Sequence, residues 1–459
     1  MDGVDVAVVG AGPAGATAAR VAAQRGAETV VIEKGVPRED RDGTGPDSTD
    51  AAGLLDYWLD LMELDPADLP EGIVLRELDR AEFVGPSERL VIRDTGIEAS
   101  YDKFGVTYDR AKFDDWLVDR AETAGADYRV GDGVRSVETT IDPTPTHRLV
   151  LRSGTEIEAD RLILADGPQR TVSMAALDQF LPSEVRASDR LAPPKANHIA
   201  YQEYRRFPAD ELETDVIKFW WGHMPGHTAY PWVFPNDGNV ARVGLTMPIG
   251  VDLDTVQDRS AYALLREDDD RMPPGAELVR RLLEQEFGDR YDIETDFPLV
   301  EDRGKDDGTE TYPISSTRPI DSPVGADIAV TGGAMGATSA FHEGGGHVAV
   351  RSGAIAGRLA ADGRLDRYND AWREAIGNEI RRNAALADLV RDYGPVDWDR
   401  VFAITRGVIE RDPTGGITML EGLSAAGLDG LALAARYKWH KYQLRGDRVC
   451  QIRASDYQY

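Results

Sequence analysis

The chain has a single cysteine, Cys450, among its 459 residues. One cysteine excludes an intramolecular disulfide, a cysteine-ligated iron–sulfur cluster and a cysteine-rich zinc site. We predict no metal site from the sequence. Any redox chemistry would therefore depend on a bound organic cofactor.

Long apolar segments are also missing from the sequence. It holds no run of apolar residues long enough to cross a bilayer. The N-terminus lacks the charged and apolar regions of a signal peptide. We therefore expect a cytoplasmic protein that contacts at most the inner face of the cell membrane.

Positive charge is scarce. The chain has 52 Lys and Arg residues but 81 Asp and Glu residues, which gives a formal net charge of −29. This charge repels nucleic acid, so no nucleic-acid partner is expected, and it also opposes simple attraction to an anionic bilayer. Acidic residues are scattered along the chain in short clusters such as REDDD at 266–270. That distribution favours a halophilic protein, because salt screens self-repulsion. An ordinary acidic mesophilic enzyme is the alternative.

The first 34 residues read as strand, glycine turn, helix and strand. Gly10, Gly12 and Gly15 form a G-x-G-x-x-G pattern between the nearly continuous apolar run VDVAVVGAG and a small-residue helix. In this context Gly10 permits a tight turn, Gly12 lets a pyrophosphate approach the helix N-terminus, and Gly15 allows close packing. Glu33 ends the next strand, where a carboxylate accepts from ribose hydroxyls and disfavours a 2′-phosphate. The pattern predicts an ADP-containing ligand.

Later stretches extend this unit. The buried strand LILADG ends in Asp166-Gly167, and a strand from residue 326 leads through a glycine-rich loop into a small-residue helix. This order resembles the FAD-binding domain of the flavoprotein hydroxylase superfamily. Between these pieces, alternating strands and polar turns predict an antiparallel sheet.

We therefore predict an α/β fold with an α+β insert. A Rossmann-like FAD-binding domain covers 1–70, 101–180 and 300–362, and an antiparallel-sheet substrate domain covers 71–100 and 181–299. Residues 363–459 form a helical C-terminal region.

The stretch YPWVFP at 230–235 places Tyr230, Trp232 and Phe234 at alternate positions, and hence on one face of a strand. By pattern alone, this face is equally compatible with ordinary sheet core and with an apolar ligand site. The Y-x-W-x-F-P pattern, VVGAGPAGATAA, VIEK, YDRAKFDDWL and LILADG together resemble the geranylgeranyl reductase family, over roughly residues 1–360.

The resemblance implies an FAD-dependent reductase that saturates C=C bonds of geranylgeranyl chains in archaeal membrane-lipid precursors or prenylquinones. It implies that FAD is held by Gly10, Gly12, Pro13, Ala14, Gly15, Glu33, Lys34, Arg110, Asp166, Gly167, Gly333, Gly336, Gly345 and Gly346. It also implies that the isoprenoid lies against Tyr230, Trp232, Phe234, Pro235 and Trp220. The chain departs from the family where Gly332-Gly333 replaces Gly-Asp, and where a cysteine after the second strand is missing.

Saturation of an isolated alkene needs a hydride, which reduced FAD supplies, and a proton on the neighbouring carbon. The candidate proton donors are His342, Glu343 and Tyr230. The faces of Trp232 and Tyr230 would stabilise cationic character at the tertiary carbon. The sequence has no second dinucleotide pattern, so the reductant is either NAD(P)H bound without its own domain or a reduced ferredoxin-like carrier.

Two other functions share the expected fold. A flavin monooxygenase or halogenase is one, although halogenases carry W-x-W-x-I-P where this chain has Tyr230 and Phe234. The other is a non-catalytic flavin or prenyl-lipid binding protein, since the family's Asp is absent at Gly333. An apolar segment at 417–436, followed by Lys438, His440, Lys441 and Arg445, would either dock on lipid or, as we favour, close the substrate domain as a helix pair.

Overall fold

A computed structural model describes residues 2–37, 50–192, 196–411 and 428–459. Its strands are β1 Asp2–Val9, β2 Thr29–Glu33, β3 Asp50–Leu55, β4 Val74–Leu78, β5 Arg80–Val84, β6 Arg89–Ile92, β7 Gly105–Asp109, β8 Asp127–Val130, β9 Val134–Thr140, β10 Thr146–Leu151, β11 Glu156–Leu164, β12 His198–Arg206, β13 Val216–Trp220, β14 Tyr230–Pro235, β15 Val240–Pro248, β16 Thr309–Ile314 and β17 Ile328–Val330.

The α-helices of the described residues are α1 Pro13–Gln24, α2 Asp56–Leu61, α3 Arg110–Thr123, α4 Thr171–Asp178, α5 Ala187–Arg190, α6 Gly275–Phe287, α7 Ile293–Asp296, α8 Gly332–Met335, α9 Gly346–Ala361, α10 Tyr368–Ala375, α11 Gly377–Leu389, α12 Pro395–Arg411 and α13 Leu428–Gln443. Within the described part of the chain, no helix combines the length and apolarity that a membrane span requires. Most of the predicted apolar segment at 417–436 lies outside the described residues.

The first sheet has the order β8-β2-β1-β11-β10-β9, with β17 also paired to β11. Strands β8, β2, β1, β11 and β17 are parallel neighbours. Strand β10 pairs with the first half of β11, and β17 pairs with the last residues of β11. Strand β11 therefore has two successive partners along the same edge. The buried apolar run of β1 suits a parallel sheet covered on both faces. This arrangement confirms the predicted Rossmann-like FAD-binding fold.

Helices α1 and α9 pack with their backbones in direct contact. A Cβ added at Gly353 would overlap the carbonyl oxygen of Ala14, and one at Gly357 would overlap that of Ala18. Only glycine permits this approach. Because α1 begins at the first glycine turn and α9 at the second glycine loop, the contact fixes these two loops relative to each other.

The second sheet has the order β16-β12-β15-β14-β13-β5-β6 and is antiparallel apart from the β13–β5 pair. Leu278 and Leu282 of α6 pack on one face with Val233, Val243 and Leu245. The predicted substrate-domain boundary at 299 is wrong for this sheet, because β16 at Thr309–Ile314 is its edge strand. Strand β4 instead joins β3 and β7 in a separate three-stranded sheet.

Candidate active site

A cavity of about 1170 Å³ lies between the first and second sheets. One part is lined by the glycine turns at the carboxyl ends of the parallel strands, and another by aromatic side chains of the second sheet. Ligands of open parallel sheets bind at this edge of the strands. The cavity is therefore placed to hold a nucleotide cofactor and an apolar substrate side by side.

The turn between β1 and α1 has the geometry of a phosphate cradle. Gly10 has φ +99° and an added Cβ there would overlap the carbonyl of Ala165, while a Cβ on Gly15 would overlap the carbonyl of Gly10. A Cβ on Gly12 would instead meet open space. Gly12 caps α1, whose first turn holds no acidic side chain. The residues present fit a pyrophosphate at this helix N-terminus.

Two carboxylates border the cradle. Glu33 accepts hydrogen bonds from the backbone N–H groups of Ala11 and Gly35, each at 2.8 Å, which orients its side chain beside the glycine turn. Asp166 accepts from the N–H groups of Val172 at 2.7 Å and Ser173 at 3.0 Å, and so caps α4. Both carboxylates line the cavity.

The predicted cofactor residues lie together along the cavity, with two exceptions. The cavity-lining ones are Gly10, Gly12, Pro13, Ala14, Glu33, Lys34, Arg110, Asp166, Gly167, Gly333, Gly345 and Gly346. Gly15 packs against Gly10 instead, and Gly336 turns the chain at φ +77° beside the carbonyl of Arg318. The predicted contacts of Gly15 and Gly336 with FAD are therefore replaced by packing roles, because neither glycine faces the cavity.

Gly333 stands where the family resemblance implies an Asp. A Cβ at Gly333 would lie 3.3 Å from the ring of Pro168. Few Cβ atoms approach a neighbour so closely, so an Asp here would need the Gly167-Pro168 turn to move. Glycine at this position therefore leaves the neighbouring turn undisturbed.

The register of the second sheet builds the predicted aromatic wall. Tyr230, Trp232 and Phe234 of β14 lie opposite Thr246, Gly244 and Arg242 of β15, respectively, and therefore share one face. A Cβ on Gly244 would lie 2.8 Å from the Trp232 indole, so this glycine makes room for the ring. Trp232 and Phe234 stack with centroids 5.5 Å apart.

All three rings line the cavity. The buried Trp232 N–H finds no hydrogen-bond partner among the described residues. A bound group with an acceptor would satisfy this donor.

Two predicted substrate contacts are wrong. Trp220 lies on the opposite face of the second sheet, where its Nε1 donates to Glu286 of α6 at 3.0 Å. The next residue, Trp221, lines the cavity instead. Pro235 ends β14 outside the cavity lining, and its carbonyl accepts from Thr107 Oγ1 at 3.0 Å. Side chains alternate along a strand, so a shift of one residue exchanges core for cavity.

Glu343 supplies the carboxyl group at the aromatic end of the cavity. Its side chain is 2 % exposed. It accepts hydrogen bonds from the hydroxyls of Thr228 (3.2 Å) and Thr246. Burial raises the pKa of Glu343 to about 8, against the opposing effect of these two hydroxyls. Burial therefore favours the protonated, uncharged form of this carboxyl group.

The other two predicted catalytic residues lie beside Glu343 in the cavity lining. Tyr230 donates its hydroxyl proton to the carbonyl of His342 at 2.7 Å. Burial lowers the pKa of His342 to about 4, so its ring is neutral at pH 7. Its Nδ1 accepts from the Gly344 N–H at 3.2 Å. Of the three groups, Glu343 is the strongest acid, because the Tyr230 hydroxyl already donates to a carbonyl and a neutral imidazole gives up its remaining proton far less readily than a carboxylic acid.

Sequence reasoning missed the polar groups behind Glu343 and much of the wall. His198, Thr228 and Thr246 surround the carboxyl group. Phe219, Trp221 and Phe341 extend the aromatic lining. Thr246 could have been predicted from the sequence, because it lies opposite Tyr230 in the hairpin of β14 and β15. No pattern in the residues around His198 indicates its role.

Comparison with known proteins agrees with this geometry. Residues 5–68 match the FAD binding domain family. The chain is 32% identical over 258 residues to a digeranylgeranylglycerophospholipid reductase of Picrophilus torridus, a match that covers 56% of this chain and 58% of the relative. It is 27% identical over 401 residues to the enzyme of that name from Methanothrix thermoacetophila, covering 84% and 86%.

Solved structures share the fold. A geranylgeranyl bacteriochlorophyll reductase-like protein from Thermoplasma acidophilum superposes with a TM-score of 0.68 at 20% identity, over 96% of this chain and 100% of that one. The myxobacterial chondrochloren halogenase CndH gives 0.57 at 17% identity, over 99% and 100%. The glycine cradle, the aromatic wall and the named relatives agree, and the chain is similar in sequence to digeranylgeranylglycerophospholipid reductases and shares the fold of FAD-binding flavoproteins.

Proposed function

We propose that this chain is an FAD-dependent reductase that saturates C=C bonds in the geranylgeranyl chains of membrane-lipid precursors. The relatives' substrate, a digeranylgeranylglycerophospholipid, is the first candidate. One observation carries the proposal: the buried acid Glu343 lies on the wall of a cavity that an aromatic surface shares with an FAD cradle. Such a cavity offers both of the reagents that an unactivated alkene requires.

FAD, when bound and reduced, supplies the hydride. Glu343 holds the proton that is added to the neighbouring carbon. Tyr230 and Trp232 present ring faces to the developing cation, and they exclude water that would otherwise capture it. Tyr230 is a poorer proton donor than Glu343 because its hydroxyl already donates to the His342 carbonyl. His342 is also poorer, because its ring is a neutral imidazole, and the proton of a neutral imidazole is far less acidic than that of a carboxylic acid.

The wall also selects the substrate. Each methylene that leaves water contributes about 0.8 kcal/mol, so a geranylgeranyl chain gains affinity from the apolar lining alone. The rings stand at fixed positions because Trp232 stacks on Phe234 and Trp221 stacks on Tyr230. We infer that they hold the chain in an extended form along the cavity.

Three further assignments belong to this proposal. The reductant is NAD(P)H or a reduced ferredoxin-like carrier. The protein works in the cytoplasm at the inner face of the membrane. The support is helix α13, which exposes the rings of Trp439 and Tyr442 beside Lys438 and Arg445. The acidic composition suits a high-salt cytoplasm.

A direct assay tests the proposal. Purified protein loaded with FAD is reduced with dithionite and mixed with digeranylgeranylglycerophospholipid, and the lipid is analysed by mass spectrometry. We expect mass gains equal to two hydrogen atoms per reduced bond, together with reoxidation of the flavin. The Glu343→Gln variant is the matched control, and it should bind FAD without changing the lipid.

Other outcomes identify the alternatives. A halogenated or hydroxylated product formed under oxygen would assign the chain to the chemistry of its halogenase neighbours. Protein that binds FAD or lipid but never changes the lipid mass would be a binding protein. Either result would overturn the reductase proposal.

A further inference from the structure

A buried polar cluster lies behind Glu343, on the side away from the cavity. His198 of β12 is 2 % exposed. Its Nε2 lies 3.2 Å from Glu343 Oε1 and 2.9 Å from the carbonyl oxygen of His227. Its Nδ1 lies 3.1 Å from the hydroxyl of Ser316. The imidazole therefore bridges Glu343 and Ser316.

The partners of His198 set the tautomer of its resting state. The carbonyl of His227 only accepts hydrogen bonds, so the Nε2 of His198 carries the hydrogen. Burial lowers the pKa of His198 to about 4, so the ring is neutral and its Nδ1 is an acceptor. Ser316 then donates to Nδ1. The ring thus donates to the His227 carbonyl, keeps its Nε2 3.2 Å from Glu343 Oε1, and offers an acceptor to Ser316.

The far end of the cluster approaches solvent. Ser316 is bonded to the half-exposed Asn197, whose Nδ2 lies 3.2 Å from the Ser316 hydroxyl oxygen. On its other side Glu343 faces the cavity, where a bound lipid would displace water. The contacts from Glu343 through His198 and Ser316 to Asn197 therefore give a carboxylate left there after proton donation a route to solvent that avoids the lipid.

Backbone strain is concentrated at the same place. Thr228 has φ +55° and Glu343 has φ +61°, and both are non-glycine residues in the left-handed region. For a β-branched residue such as Thr228 this conformation is rare. The hydroxyl oxygen of Thr228 lies 2.7 Å from the His227 carbonyl oxygen and 3.2 Å from Glu343 Oε1, so its single proton is shared between two acceptors. Strained residues of this kind persist mainly where a site requires their geometry.

We propose that His198 is a positioning residue that returns a proton to Glu343 after each alkene is saturated, taking its replacement from the Ser316 side. The inference rests on the proposed reductase function. In each cycle the O–H bond of Glu343 breaks as the new C–H bond forms. The Nε2–H bond of His198 then breaks as Glu343 regains its proton, while Nδ1 takes a proton from Ser316, which recovers one from water. Tautomer exchange through water restores Nε2–H between turnovers.

The kinetic test uses FAD-loaded, dithionite-reduced protein and digeranylgeranylglycerophospholipid. Gln at position 198 retains a donor but cannot pass a proton, so we expect His198→Gln to saturate one bond per protein at the wild-type rate. Later turnovers should slow by roughly tenfold or more. The control is His227→Gln, whose ring bonds Ala387 and not Glu343, and which should match wild type. A first turnover slowed as much as the later ones, or no slowing at all, would overturn the relay.

A second readout needs no turnover. The infrared carbonyl band of the protonated Glu343 carboxyl, identified by its loss in Glu343→Gln, shifts when the protein is transferred to D₂O. We expect this shift to be slower in His198→Gln and unchanged in His227→Gln, and equal rates in all three proteins would overturn the relay. If the wild type reduces no lipid but the exchange slows as expected, the reductase proposal fails while the relay stands. If His198→Gln does not fold, Ser316→Ala replaces it, because it removes the donor to Nδ1 and keeps the ring.

Discussion

Two histidine–glutamate pairs lie near the second glycine loop, and the pKa values of their carboxyl groups are shifted in opposite directions. In the first, Glu379 of α11 lies 2.5 Å from His347 Nε2 and 3.0 Å from Arg351 of α9. Burial alone would raise the pKa of Glu379, but the His347 hydrogen bond and the Arg351 and Arg382 charges hold it at about 2. In the second, Glu343 meets His198 and two hydroxyls and has a pKa of about 8.

The difference shows what decides the role of a buried carboxyl group. Both pairs combine the same residue types, but the Glu343 side chain is 2 % exposed and that of Glu379 is 13 % exposed, and among the described residues arginines act on Glu379 and not on Glu343. Positive charge makes Glu379 a permanent anion that ties α9 to α11, whereas its absence leaves Glu343 with a proton to donate. Trp58 lies between the two sites and stacks on both His342 and His347, with centroids 5.6 and 4.2 Å away.

Replacement of the proton donor should give the largest effect. We expect Glu343→Gln to lower the rate of lipid saturation by about a hundredfold or more, because an amide cannot donate the proton. The FAD content should be unchanged, since the cradle lies on other elements. The measurement is mass spectrometry of the lipid after a fixed time. Full activity of this variant would show that the proton of Glu343 is not needed for lipid saturation.

Activity should also depend on pH in one direction. Glu343 is protonated below its pKa of about 8, so we expect saturation to be fastest on the acid side and to fall about tenfold per pH unit above 8. The rate of flavin reoxidation by lipid, measured from pH 6 to about 10, checks this. A rate that rises with pH in that range would contradict an acid role for Glu343.

The anionic pair should matter for stability and not for chemistry. Glu379→Gln leaves Arg351 and His347 without their carboxylate, so we expect the free energy of unfolding to fall by about 3 kcal/mol. The pKa of Glu379 is lowered in the folded state, so its contribution is present above about pH 4.5 and is lost as the pH falls towards 2. Denaturant titration of both proteins at several pH values measures this difference, which should shrink in acid.

Loss of a phenol hydroxyl should have the smallest effect. The hydroxyl of Tyr230 donates to the His342 carbonyl and leaves no proton for a substrate. We expect Tyr230→Phe to cost about 1 kcal/mol of stability and to change the saturation rate by only a fewfold. The same lipid assay and a thermal melt check this. A loss as large as that of Glu343→Gln would transfer the donor role to Tyr230.

Local patterns in the sequence predicted the cradle and the wall. The G-x-G-x-x-G turn and the alternating rings at 230–234 depend on neighbours within a few residues, and periodicity therefore revealed them. The choice between Trp220 and Trp221 could not be made in this way. The two are adjacent, and only the pairing of Phe219 with Trp232 decides which one faces the cavity.

The polar cluster behind Glu343 was beyond sequence reasoning. His198 and Thr228 reach the carboxyl group across more than a hundred residues, through the order of strands in the second sheet. Likewise, His342 and Glu343 are equally plausible acids in the sequence. Burial separates them because it favours the neutral form of both, which holds a transferable proton only in the carboxylic acid.

The glycine contacts between α1 and α9 have a consequence for how a lipid enters. Backbones that touch at Gly353 and Gly357 cannot slide without collision, so the turn at Gly12 and the loop before Gly346 behave as one rigid body. We therefore expect any breathing motion that admits a long hydrocarbon to arise in the second sheet or in the helices that cover it.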